Sequence, residues 1–258
     1  MDKESGLIQR KPRVLYSSDD DESYYSDDSA DEDQGPKQKL LVLPLGGFLC
    51  ARVYKKSKTK VRIPRNRQPD GDFEKFYVYK RPYCEDFVKF CLERFEVGIW
   101  SSASGWNTEE TLECVIGGLE NKLLFTWDQR KCTGPMYQSF LENKNKTLFL
   151  KDLSTLLVFL RIDGIDYKPS EALLIETDPY KSFLNPPDTS IFLDEYSVKN
   201  VSDDKLGPDG KLRKYLDNLS KAEDVPSFVK ANPFGNPAIT SSHPHWSSCS
   251  EMIRIYGD

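Results

Sequence analysis

KLLVLPLGGFLC, residues 39–50, is the stretch on which the reading of the whole chain turns. Its LLVL segment is a continuous apolar run of strand length, the pattern of a strand covered on both faces in a parallel sheet. A proline and two glycines follow at once, Pro44, Gly46 and Gly47, and mark a turn at the strand's carboxyl end. Open parallel sheets bind their ligands just beyond such ends. Yet this turn offers no side chain that can give or take a proton.

Working outward, further buried strands are expected in EVGIWS, LLFTW, ALLIE and SIFL. Between them lie helical patterns: PYCEDFVKFCLERF opened by Pro82, NTEETLECVIGGL capped by Asn107 and stopped by Gly117 and Gly118, and LSTLLVFLR. Strands alternating with helices from Leu40 to Leu193 predict an α/β fold, a Rossmann-like parallel sheet with helices on both faces. Residues 53–79, with PDGD between two β-rich pieces, read as a β-hairpin insertion after the first strand. The stretch GPDGKLRKYLDNLSKAEDVPSFVKANPFG reads as one or two covering helices, and the Ser-, Pro- and His-rich end has no visible pattern. The expected organisation is a disordered acidic tail over 1–37, a folded unit over 38–235 and a C-terminal tail over 236–258.

Composition narrows the function classes. The chain of 258 residues carries a net charge of −5, with 38% hydrophobic and 30% charged residues. Asp19 to Asp33 holds nine acidic residues and no basic one, whereas Arg52 to Arg67 holds eight basic residues and no acidic one. No apolar run reaches the roughly 18 residues of a membrane span, and the N-terminus has neither a signal-peptide core nor a transit-peptide charge pattern. A soluble protein of the nucleus or cytoplasm is expected. The six cysteines form no CxxC pair and the two histidines, His243 and His245, stand near the C-terminus, so no zinc set is expected.

The segments PLGGFL, WSSAS, LKD and ETDP occupy the expected strand ends. In order and spacing they resemble the four motifs of the haloacid-dehalogenase superfamily, and more narrowly the small CTD-phosphatase, or NLI-interacting-factor-like, family. YKRPYCEDFVKF, WDQRKCT, LKDLSTL and DPYKSFLNPPDTSIFLDEY extend the resemblance across Leu40 to Phe234, most like plant members. It implies the fold already read from the pattern, and a phosphoserine-bearing partner like the RNA polymerase II tail. It also implies a chemistry of carboxylates. A strand-one Asp attacks phosphorus, an Asp two residues on acts as general acid, and Mg²⁺ is held with help from a fourth-motif Asp or Asn. A Ser or Thr and a Lys hold the phosphoryl oxygens.

Carried across residue by residue, the resemblance puts Pro44 at the nucleophile position and Gly46 at the general-acid position. Glu176-Thr177 stands for the fourth-motif pair, so Glu176, Thr177 and Asp178 are weak metal candidates and no Mg²⁺ is expected to be needed. Ser101 and Lys151 keep the phosphoryl-binding positions, joined by the glycine turn at Gly47. The expectation is a pseudophosphatase that works by binding, with two alternatives. One is a phosphoprotein serine phosphatase retaining activity through a carboxylate such as Asp178; the other is an assembly subunit that leaves the pocket unused. Ser101 and Lys151 read equally as an anion pocket or as remnants of the fold, with Lys151 a bare cation in the first case.

Other features have bland readings beside the functional ones. Ser17, Ser26 and Ser29 lie among acidic residues, either in a solubilising tail or as sites for acid-directed kinases. The basic run reads as a solvated hairpin ahead of a clamp for an acidic peptide, and its few aromatics argue against nucleic-acid stacking. Cys50 has no histidine near it in sequence and reads as a packed thiol.

Overall fold

The computed structural model describes residues 38–56, 62–136 and 148–256. The acidic segment 1–37, with Ser17, Ser26 and Ser29, and the centre of the basic run, 57–61, lie outside them. The strands are β1 (Leu40–Leu43), β2 (Cys50–Tyr54), β3 (Gly71–Asp72), β4 (Phe76–Lys80), β5 (Glu96–Trp100), β6 (Phe125–Trp127), β7 (Thr133–Met136), β8 (Leu148–Leu150), β9 (Ala172–Glu176) and β10 (Ser190–Phe192). The helices are α1 (Cys84–Leu92), α2 (Gly105–Ile116), α3 (Leu153–Ile162), α4 (Lys211–Lys221), α5 (Val225–Ala231) and α6 (Trp246–Tyr256).

The five strands expected from apolar runs form one parallel sheet in the order β10-β9-β1-β5-β6. Side chains on a strand alternate between faces, and β1 divides accordingly. Leu41 and Leu43 join the core under α1, α2, α4 and α5, while Leu40 and Val42 join the core under α3. Strand β9 splits the same way, with Leu173 and Ile175 on the first face and Ala172 and Leu174 on the second. A strand covered twice can have no polar alternation, which is why LLVL and ALLIE read as continuous apolar runs. The chain leaves β1 for β5 on one side and returns to β9 on the other. The carboxyl end of β1 therefore lies at the point where strand order reverses.

Two local features shape that end. Leu43 opposite Ile99 is the last β1–β5 pair, and Pro44, with no N–H to donate, follows it directly. Gly47 takes φ +82°, the left-handed region that glycine enters at least cost. The insertion then forms a three-stranded antiparallel sheet, β2-β4-β3, beginning at Cys50, three residues before the expected boundary. Within it the basic run finds acidic partners: Lys55 meets Asp72 at 2.5 Å and Arg67 meets Asp70 at 3.0 Å.

Three expectations need correction. Helix α2 begins two residues before Asn107, with Ser104 at the cap position; Asn107 instead offers its carbonyl to the Thr111 hydroxyl at 2.6 Å. Tyr83, in the left-handed region at φ 64°, separates Pro82 from α1, so the proline precedes the helix rather than opening it. The C-terminal stretch without visible pattern includes α6, whose Met252 packs with Leu148 and Leu150 against Tyr180, Phe183 and Leu184. With two buried residues in that helix, Cys249 and Met252, its apolar stripe is too short to stand out in the sequence.

Candidate functional site

The β1 end closes on itself. The Gly47 amide donates to the Cys50 carbonyl at 2.8 Å, and the Gly47 carbonyl accepts from the Tyr196 amide at 2.7 Å. Both backbone groups of Gly47 are thus engaged within the fold. Its amide is therefore not free for the phosphoryl-binding position at which the sequence reading joined Gly47 to Ser101 and Lys151. The Cys50 thiol points at the Leu45 carbonyl, 3.8 Å away, and burial pushes it up to about 12, with Arg52 opposing. It is a packed thiol.

Ser101 follows β5 directly. Its amide donates to the Trp127 carbonyl at 2.7 Å, and its hydroxyl accepts from the Ala103 amide at 3.1 Å, holding the turn into α2. Lys151 arrives differently. Strand β8 pairs with β7 in a separate two-stranded sheet, and Lys151 is brought in where its amide donates to the Lys181 carbonyl at 2.6 Å. Asp152, the next residue, caps α3 by accepting from the Ser154 and Thr155 amides at 2.8 and 3.4 Å.

Lys151 is 1% exposed and Glu176 0%. The Lys151 ammonium donates to the Trp100 carbonyl at 2.6 Å and to Glu176 Oε1. Glu176 Oε2 accepts from the Thr177 amide at 3.1 Å and from the Lys181 ammonium at 3.3 Å. One carboxylate therefore serves two ammonium groups out of water. Burial works to raise the Glu176 carboxyl, but Lys151 and Lys181 outweigh it and hold it below the ordinary carboxylate range. Burial pulls Lys151 down, against the pull of Glu176. Burial also opposes the charge on Lys181, yet Glu176 and Asp178 together raise it.

Lys151 is accordingly a matched cation, not a bare one. The fourth-motif segment fits Mg²⁺ poorly for the same reason. Glu176 is held by two ammonium groups, Thr177 carries a neutral hydroxyl, and Asp178 accepts from the Tyr180 amide at 3.2 Å at the start of a short helical turn. Among the described residues no three His, Cys, Asp or Glu side chains come together as a metal set.

Three side chains at this end escape a motif-based reading. Lys181 lies five residues after Glu176 in DPYKSF, and its charge becomes relevant only once the helical turn Pro179–Ser182 folds it back. Glu195, in LDEY, stands over the other side of the β1 turn. A Cβ on Gly47 would meet its Oε1 at 3.3 Å and Thr177 Oγ1 at 3.3 Å. Arg52, counted only as part of the basic run, lies against Gly46. A Cβ there would meet Arg52 Nη2 at 3.1 Å.

The description of NLI interacting factor-like phosphatases matches residues 39–226. A probable C-terminal domain small phosphatase of Dictyostelium discoideum is 27% identical over 192 residues, covering 72% of this chain and 52% of that protein. The chain thus spans about half the length of that curated relative. Two solved structures of the RNA polymerase II CTD phosphatase Fcp1, one from fission yeast with beryllium fluoride bound, align at 11% identity and a TM-score of 0.41, covering 85% of this chain and 63% of theirs. Among the described residues no helix is long and apolar enough to cross a membrane. The match over 39–226 takes in every strand of the main sheet and all four strand-end segments: the chain belongs to the NLI interacting factor-like phosphatase family.

Proposed function

We propose that this chain is a pseudophosphatase, a phosphatase-fold protein that works by binding a phosphoserine-bearing or acidic peptide rather than by hydrolysing it. The observation that carries the reading is the pairing of Glu176 with Lys151 and Lys181 beside a strand end whose nucleophile and general-acid positions are Pro44 and Gly46. Nucleophilic catalysis needs an atom that attacks phosphorus, and a proline ring has none. Loss of one member of a catalytic unit commonly costs several orders of magnitude in rate, and a second loss adds less because the members act together. Glu176, which would have to help hold a cation, is committed to two ammonium groups. Asp178, the carboxylate of the alternative reading, is committed to capping the next turn.

The name of the curated relative, a probable C-terminal domain small phosphatase, supports this partner class. A phosphoserine heptad peptide is the appropriate probe. Purified full-length chain incubated with it, with and without Mg²⁺, is expected to release no more phosphate than buffer while still binding the peptide. Mg²⁺-dependent release that disappears in Asp178→Ala would establish the enzyme reading instead.

A further inference from the structure

The cation that the family resemblance assigns to the phosphate, Lys151, already has its counter-charge in Glu176. Arg52 does not. Strand β2 starts at Cys50, and two residues on, Arg52 projects to the same face of that strand, toward the β1 turn. The three atoms nearest to a Cβ built on Gly46 all belong to its guanidinium: Nη2 at 3.1 Å, Nε at 3.4 Å and Cζ at 3.6 Å. The group lies 5.9 Å over the Phe76 ring, and its Nη1 is buried with no hydrogen-bond partner. A buried donor on a charged group is costly to leave unmade, and guanidinium prefers a planar oxyanion that takes two bonds at once.

We propose that Arg52 is the anion-binding residue of this strand end, and that it takes a phosphate monoester oxygen beside Gly46. The position that the resemblance assigns to a general acid would thereby face a cation. This rests on the binding reading above and deepens it by naming the group that recognises the phosphate. Glycine at 46 is part of the device. It leaves room for the guanidinium, and it puts no carboxylate beside Arg52 to neutralise it. The Glu195 carboxylate lies on the Gly47 side of the turn, on a residue exposed to solvent.

The test is calorimetric titration of the full-length chain with inorganic phosphate and with the phosphoserine heptad peptide, its unphosphorylated twin serving as control. Arg52→Gln removes the charge and keeps a polar side chain, and is expected to weaken binding of both phosphate probes about tenfold to a hundredfold, the range of a charge-assisted hydrogen bond. Gly46→Asp, which supplies an internal partner to Arg52, is expected to do the same, with thermal melts confirming that both variants fold. Lys151→Met, where it folds, is expected to change phosphate affinity less than threefold. Wild-type binding that survives both Arg52→Gln and Gly46→Asp would overturn the assignment of Arg52 and leave the binding reading standing. Absence of phosphate-dependent binding in the wild type would overturn both.

Discussion

Glu176 sets the charge balance of the candidate site. Standing where the resemblance implies a fourth-motif aspartate, its carboxylate meets the Lys151 ammonium in the protein interior. Buried pairs of this kind contribute little net stability when intact, but breaking one strands a charge. Glu176→Ala would strand two, and is expected to cost at least about 3–5 kcal/mol in urea unfolding. The pH dependence follows from the direction of the shift. The Glu176 carboxyl is held below its ordinary 4.5, so its contribution is full above that value and is lost as pH falls through its folded value. The acid limb of the stability profile should therefore flatten in Glu176→Gln, whose residual stability is compared with wild type between pH 3 and pH 6. Of the candidate site, the strand-end places of Pro44, Gly46 and Thr177 were legible in the sequence because they are read by position along the chain. The Lys151–Glu176–Lys181 cluster was not, because its members come from strand ends and a turn separated by 25 residues and meet only in three dimensions.

At the scale of elements, the central strands β1 and β9 were legible because two-sided burial leaves an unbroken apolar run. Helix starts were less so. The cap of α2 lies at Ser104, ahead of the residue whose type best advertised it, because Gly105 and Trp106 continue the helix backward. Gly98 is an element-scale constraint of another sort. It sits in β5 opposite Phe125 of β6, and a Cβ there would lie 2.2 Å from the ring. Gly98→Ala forces the ring out of a packed face shared with Trp127 and Trp100, and is expected to cost about 1–3 kcal/mol in chemical denaturation. Since β5 carries Ser101 at its end, the same substitution should disturb the turn that Ser101 holds through the Ala103 amide.

For the whole molecule, the insertion and the sheet are held to each other through Arg81. Its Nε and Nη2 donate to the Asp203 carboxylate at 2.8 and 3.1 Å, and its Nη1 donates to the Phe48 carbonyl at 3.2 Å, all out of water. One side chain thus joins the end of β4, the turn after β1 and the loop before α4, across 122 positions of sequence. Arg81→Met leaves Asp203 buried without its partner, and a loss of about 3–5 kcal/mol is expected in thermal or urea unfolding. Arg-Pro in YKRPY was visible as a pattern, but its task as a clamp was not, since nothing local marks Asp203 as its partner.

The sequence by itself determined the α/β sheet, the strand-end segments along the chain and the absence of any carboxylate from the turn at residues 44–47. Those properties are written locally, in apolar runs and turn residues. Tertiary structure alone decided which charges at that end are matched. Pairing depends on which side chains the strand crossover brings within hydrogen-bond reach. It left Lys151 bound to Glu176 and set the Arg52 guanidinium beside Gly46 with one donor unmade.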